Sequence, residues 1–267
     1  MAGSARGAGS LTETLIHRVA GPFVRRAVMG VIESRGALPW PQDEPRVHVD
    51  GPDPRRILLF GGAIAGGVGV ASQQVALAGQ LARALGTSSG RGVDVEVVSL
   101  PFATVGRLAK EMLRIRRNHF DAVVLVPGGR ESLSLAPGSL WRRELGRLLA
   151  AVGVTAEGVP VVLVAVTQLP DTIRLEPRMR VAVTRTTDVL NAVSAELCAA
   201  DPLRRFVGAD LASMTRGNGA MEGYRAQARS IATALKPMLA SRVADEAHRA
   251  RPLAFSTGAR LTAGFAS

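Results

Sequence analysis

One cysteine, Cys198, stands in 267 residues. It has no partner for an internal disulfide and no companions for a cysteine-based zinc site. Aromatic residues make up only 4% of the chain, so the core has to be built from Ala, Val and Leu. The four histidines are scattered: His17 in the N-terminal stretch, His48 in a Pro-rich segment, His119 just before an apolar run and His248 near the end. None follows the carboxyl end of a run that reads as a strand, so no histidine base is in view. No run of about 18 apolar residues occurs, which excludes a helix long enough to cross a bilayer. The opening residues are small and polar, without the apolar stretch and cleavage site of a secretory leader. The expectation is a cytoplasmic protein, with membrane association open to it through a surface helix.

What is present is a 47% hydrophobic chain with a formal charge of +11. That length and apolar content fit one well-buried domain with a decorated N-terminus. Arginine dominates the positive charge. An excess of that size is compatible with a membrane surface, an acidic ligand or a nucleic acid, and also with an arginine-rich surface that has no partner. The densest cluster, Lys110, Arg114, Arg116 and Arg117, falls on one expected helix. It lacks the interleaved aromatics on which single-stranded bases stack, so nucleic acid is not expected.

Three segments follow from the pattern: 1–55, 56–241 and 242–267. Within the first, residues 11–35 form a basic amphipathic stretch. Leu15, Val19, Phe23, Ala27 and Val31 share one face, Arg18, Arg25, Arg26 and Arg35 lie elsewhere, and Pro22 divides it. This helix either packs on the domain or lies in a membrane interface. Residues 36–55 read as a Pro-rich linker, and the tail from 242 as loosely ordered. Between them apolar runs alternate with helical periods. Strands are expected near residues 56, 93, 121, 160 and 205, with helices between them, the first stopping near Gly86. The fold class is therefore α/β, a three-layer α/β/α sandwich around a doubly wound five-stranded parallel sheet of flavodoxin-like type. Sites in such sheets lie beyond the carboxyl ends of the strands, which selects the loops after residues 60, 100, 126, 166 and 208. The Pro-containing stretch 167–180 is the expected lid.

The first of these loops reads Gly61-Gly62-Ala63-Ile64-Ala65-Gly66-Gly67-Val68-Gly69. Glycines there either cradle an anion on backbone N–H groups or let helix and strand pack closely. No Lys-Ser/Thr follows, so it is not a Walker loop, and no acidic residue ends the second strand to hold a ribose. No cofactor and no metal is expected.

FGGAIAGGVGV resembles the first block of the SGNH/GDSL hydrolases, a family of esterases and lipases. In that register Ala63 stands at the nucleophilic serine and Gly62 at the aspartate beside it. SLPFAT resembles the family's second block, with Phe102 at the glycine whose N–H serves the oxyanion. VLVPGGRESL resembles the third, with Gly128 retained, Arg130 at the oxyanion-hole asparagine and Glu131 at the aspartate. MTRGNGAMEGYRAQA resembles the last, with Gly223 and Tyr224 retained, Thr215 at the triad aspartate and Asn218 at the histidine. The resemblance spans about residues 56–241. It implies hydrolysis or transfer of esters, acyl lipids or carbohydrate acetyl groups.

The residues contradict that activity. Serine acyl transfer needs a hydroxyl, a base and donors for the oxyanion. Ala63 brings no hydroxyl, Asn218 no base and Thr215 no carboxylate. Losing nucleophile or base costs on the order of 10⁶ in turnover, and losing one oxyanion donor about 10²–10³. Ser132 and Ser134 are the alternative hydroxyls, unless they cap the following helix. Arg130 is expected over the N-terminus of the helix that follows Gly66-Gly67, which favours an anion, with Glu131 either pairing with an arginine or contacting the ligand. The candidate ligand residues are Gly62, Ala63, Arg130, Glu131 and Asn218. The leading reading is a non-catalytic ligand-binding, regulatory or scaffolding relative of an esterase. The rivals are an active esterase or acyltransferase using non-standard residues, and a basic peripheral membrane protein. The ligand expected is a small anion or an acidic lipid headgroup.

Overall fold

A computed structural model describes residues 38–115, 120–168, 176–209 and 219–250, with side chains to residue 241. The amphipathic stretch 11–35, His17, His119, Thr215, Asn218 and lid residues 169–175 lie outside the described residues.

Apolar β-branched runs make the sheet. In chain order the elements are β1 (Arg46–Val49), β2 (Arg55–Gly61), α1 (Leu77–Ser89), β3 (Val93–Ser99), α2 (Val105–Met112) and β4 (Ala122–Val126). There follow α3 (Arg130–Leu133), α4 (Gly138–Thr155), β5 (Val161–Val164), α5 (Pro177–Ala199), β6 (Arg204–Val207) and α6 (Gly219–Ala250). The strand order is β1-β3-β2-β4-β5-β6. β2 through β6 are mutually parallel, and β1 alone runs antiparallel, on the outer side of β3. The parallel strands start within a residue of where their apolar runs place them. The pleat sorts side chains to the two faces. Ile57 and Leu59 join Leu77, Leu81, Tyr224 and Ile231 under α1 and α6. Leu58 and Phe60 join Leu108, Trp141, Leu145 and Leu190 under α2, α4 and α5.

The sixth strand corrects the reading of 36–55 as a plain linker. Only Val47 of Arg46-Val47-His48-Val49 is buried, pairing with Val95. The alternation lasts four residues between prolines, too short to stand out from a turn-rich segment. Arg46 and His48 both reach Asp94, at 3.2 and 2.9 Å. The Asp94 hydrogen bond raises the His48 pKa above its ordinary value.

Two helix ends also differ from expectation. α1 passes through Gly86 and stops at Gly90, whose φ of 64° suits a C-terminal glycine. Gly86 serves a different need: a Cβ there would lie 3.2 Å from the Val49 side chain, so its absence lets β1 approach. At the other end of the chain, α6 continues through Pro237 to Ala250, so the first part of the supposed loose tail is helix.

β2 is the turning point of the sheet, with β3 on one side and β4 on the other. In doubly wound sheets the ligand crevice opens at this switch point, beyond the carboxyl ends of the strands. The loops after Gly61 and Val126 flank it.

Candidate functional site

The ends of β2 and β4 touch. A Cβ on Gly61 would sit 1.9 Å from the Val126 carbonyl oxygen, and one on Gly62 would sit 3.1 Å from the Gly128 Cα. No larger residue fits either place without moving backbone. The Gly62 N–H donates to the Val126 carbonyl at 2.9 Å.

From there the first loop closes a single helical turn. Gly66 N–H donates to the Gly62 carbonyl at 3.3 Å, and Val68 N–H to the Ala63 carbonyl at 3.2 Å. Three side chains pin it, and a fourth, Asp43, holds one of the three. Ser99 Oγ donates to the Gly62 carbonyl at 3.0 Å. The buried Tyr224 hydroxyl donates to the Val68 carbonyl at 2.7 Å, and burial raises its pKa. Gln73 Nε2 donates to the Gly66 carbonyl at 3.2 Å. Asp43 accepts from the Gln73 N–H and from Ser72 Oγ. Slight burial acts to raise the Asp43 pKa, but those hydrogen bonds outweigh it and hold it below the ordinary value. Retention of Tyr224 thus has a local reason, whereas Ser99, Gln73 and Asp43 escaped sequence reading. Asp43 and Ser72 are far apart in the chain, and only the folded segment 38–43 brings them together.

The loop corrects one expectation. No helix starts after Gly66-Gly67; α1 begins only at Leu77, with Ala76 at its N-cap and no side-chain cap. The donors beside Ala63 are therefore those of a turn, and α1's dipole does not begin there.

Phe102, in the second loop, has φ of 61°. This is glycine's territory, and an L-residue there is strained by about 1–2 kcal/mol. The position that resembles the family's oxyanion glycine thus keeps a glycine-like backbone while carrying a phenyl ring. The residue is 53% exposed, so it does not fill a buried acyl pocket. Arg130 Nη1 donates to the Phe102 carbonyl at 2.8 Å. The guanidinium's other nitrogens have no partner among the described residues, and Arg130 is partly exposed. Beside it, a Cβ on Gly128 or Gly129 would meet nothing within 4 Å, so the third loop borders open space.

Glu131 goes elsewhere. It is 8% exposed, and its Oε1 accepts from the Val105 N–H at 2.7 Å, capping α2. Burial raises its pKa, partly offset by that hydrogen bond. Oε2 has no partner. Its side chain lines a groove of about 530 Å³ between α2 and α4. Among the described residues no arginine forms an ion pair with Glu131, whose carboxylate is taken by the free N–H group at the start of α2. Ser132 is 2% exposed with its hydroxyl unpartnered. Ser134 Oγ donates to the Glu131 carbonyl at 3.2 Å. Neither serine caps α4, whose N-cap is Pro137.

Ala63, Phe102 and Arg130 thus follow the carboxyl ends of β2, β3 and β4. The last block enters through α6, whose first turn meets the first loop where Ala220 lies 3.5 Å from the space a Gly69 Cβ would take. Gly223 and Tyr224 belong to that helix. Among the described residues, no three His, Cys, Asp or Glu side chains gather as a metal site, and no helix is long and apolar enough to cross a membrane. The arrangement combines a closed turn at Ala63, a glycine-like backbone at Phe102 and a partly free guanidinium.

Neither a family model nor a curated protein matches the sequence. Solved structures do. Est24, a carbohydrate acetylesterase from Sinorhizobium meliloti, is similar over 69% of this chain and 99% of its own, with a TM-score of 0.53 and 15% identity. SsfX3, a salicylyl-acyltransferase from a tetracycline biosynthetic pathway, is similar over 70% of this chain and 56% of its own, with a TM-score of 0.52 and 16% identity. The chain shares the α/β fold of these two proteins, here with a six-stranded sheet.

Proposed function

We propose that this chain is a non-catalytic relative of the SGNH esterases, which holds a small oxyanionic group beyond the carboxyl ends of β2 and β4. The observation that carries this reading is the left-handed Phe102 with Arg130 bonded to its carbonyl. A strained backbone persists only where its surroundings hold it. Here an oxyanion-loop geometry is held although Ala63 leaves nothing to attack an ester. A glycine-like backbone remains at Phe102 and Arg130 stands in for the asparagine donor, while the nucleophilic hydroxyl is gone. The ligand is a carboxylate, a phosphate or an acidic lipid headgroup, with Arg130 as its main contact.

Ester turnover and anion binding test this directly. Purified full-length protein is expected to show no hydrolysis of nitrophenyl acetate and no labelling by a fluorophosphonate. Calorimetry with phosphate and with acetate should show salt-sensitive binding that Arg130→Ala weakens by about 1.5–3 kcal/mol, the usual worth of a hydrogen bond to a charged group. Ester turnover abolished by Ser132→Ala or Ser134→Ala would overturn the reading and make the chain an esterase with a displaced nucleophile. The sealed, unpartnered Ser132 hydroxyl speaks against that. A membrane-surface role rests on the basic pattern of residues 11–35. Vesicle binding that disappears when 1–37 are removed, with anion binding intact, would establish it as a separate property.

A further inference from the structure

The outer surface of the α1/α6 layer carries a groove of about 590 Å³. Arg83 of α1 stands on one wall, and Arg225, Arg229 and Lys236 of α6 on the other, with Thr87 and Thr233 between them. All six are exposed. No carboxylate lines the groove. α1 contains no acidic residue, and α6 has Glu222 as its one acid before residue 242, in the first turn. None of the four cations forms an ion pair among the described residues. Arg83 is steadied by one hydrogen bond, from Nη2 to the Gln74 carbonyl at 2.6 Å, which leaves its remaining donors for a ligand.

Four unneutralised cations on two facing helices repel one another, and a bound polyanion relieves that repulsion. The layout limits what the polyanion is. Arg225 and Arg229 are one turn apart, about 6 Å, and Lys236 lies about 16 Å from Arg225 along the helix axis. A single phosphate spans one such step; several linked phosphates span more. The lining has no aromatic ring for stacked bases and no large apolar side chain to enter a bilayer, since Ala84 and Ala232 are its apolar members. A concave, hydroxyl-bearing groove suits a compact soluble ligand better than a flat membrane.

We infer that the α1/α6 groove is a binding site for a soluble oligophosphate, with Arg225 and Arg229 on one wall and Arg83 on the other as its contacts. The site is separate from the carboxyl-edge crevice and stands whether or not Arg130 binds an anion.

The test is calorimetry on the full-length protein at low ionic strength, with tripolyphosphate and orthophosphate as probes. Tripolyphosphate is expected to bind about tenfold or more tighter than orthophosphate, and to weaken as salt is added. The double variant Arg225→Gln/Arg229→Gln should lose about tenfold or more, the order expected for two charge contacts near water's dielectric constant. Arg142→Gln/Arg147→Gln, on the opposite layer, should bind as the native protein does; because Arg130 is itself a proposed phosphate contact, the groove variant is compared with its parent in an Arg130→Ala background. Circular dichroism confirms that each variant is folded. Equal binding by the groove variant, no preference for tripolyphosphate, or no binding at all would overturn the site. Capture on phosphatidylserine vesicles that needs Arg225 and Arg229, without tripolyphosphate binding, would overturn it in favour of a membrane-facing surface.

Discussion

The two helical layers have the same arginine-rich make-up but balance it differently. On and beside α2, α4 and α5, four arginines find carboxylates: Arg114 with Glu111, Arg147 and Arg143 with Glu144, and Arg142 with Glu196. On α1 and α6, Arg83, Arg225, Arg229 and Lys236 form no ion pair among the described residues. A net charge read from composition averages over this difference. What sets the α1/α6 face apart is a groove lined by four cations and no carboxylate, assembled from positions about 140 residues apart, whereas the groove between α2 and α4 carries Glu131 and Glu144 beside its cations. The sequence points instead to Lys110, Arg114, Arg116 and Arg117. Of these Arg114 is neutralised within its own helical region, and Arg116 and Arg117 lie outside the described residues.

If charge alone separates the layers, equal cuts into their cores should cost alike. Leu81 of α1 and Leu145 of α4 are both fully buried. Leu81→Ala and Leu145→Ala are each expected to lose about 2–5 kcal/mol in urea unfolding. A loss well under 1 kcal/mol for Leu81→Ala alone would mean that α1 is loosely seated, and the groove it walls would lose its basis.

A smaller effect separates the layers by pH. Glu131 lies beneath the start of α2, and burial raises its pKa above that of the unfolded chain. The folded state then holds the proton more tightly than the unfolded state. Stability from this group is complete below the unfolded value, near the ordinary carboxylate range, and is lost as pH rises through the raised folded value. Glu131→Gln keeps an oxygen for the Val105 N–H and cannot ionise. Thermal melts across that window should show the native protein losing Tm with rising pH relative to the variant. Parallel curves would mean that Oε2 is better solvated than its burial implies. The α1/α6 layer has no comparable buried carboxyl, so Arg225→Gln should leave the shape of the pH curve unchanged. The thiol of Cys198, on the buried face of α5, has its pKa raised to about 11 by burial, so a thiol reagent at neutral pH should label it only after unfolding.

What could be read in advance follows from where information is local. β2, β4 and β5 are continuous apolar runs because both their faces are covered. The blocks that resemble the SGNH family lie at the ends of such runs, so Ala63, Phe102 and Arg130 were assigned to carboxyl-edge loops from sequence. β1 was missed because an edge strand with one buried residue leaves almost no pattern. Gly86 was misread as a helix stop because a glycine needed for close approach looks the same as one needed for a left-handed turn. Side-chain direction was not legible either. Glu131 and Arg130 are neighbours, yet one turns under α2 and the other toward the Phe102 carbonyl. Which way each goes depends on donors and acceptors that only folding supplies. The pairing of Asp43 with Ser72 and the unpaired groove between α1 and α6 are likewise products of tertiary packing.

The smallest expected effect has the most telling sign. Removing one arginine from each layer by substitution with glutamine keeps most of the aliphatic stem and deletes the charge. Arg147 sits 2.9 Å from Glu144, with its side chain 63% exposed. Exposed pairs of this kind contribute about 0.2–1 kcal/mol, so Arg147→Gln should destabilise by that much or less. Arg229 has Arg225 one turn away on the same face and no acid at i±3 or i±4 of its own, the helix's one acid before residue 242 being Glu222, next to Arg225 rather than Arg229. Like charges at this spacing destabilise a helix by about 0.2–0.5 kcal/mol. Arg229→Gln should therefore stabilise the folded protein slightly in low salt. Added salt should shrink both effects, since screening weakens the pair and the repulsion alike. Urea melts at two ionic strengths would read the signs. Destabilisation by both substitutions would mean that Arg229 has an attractive partner in solution, and the α1/α6 layer would no longer be the unbalanced one.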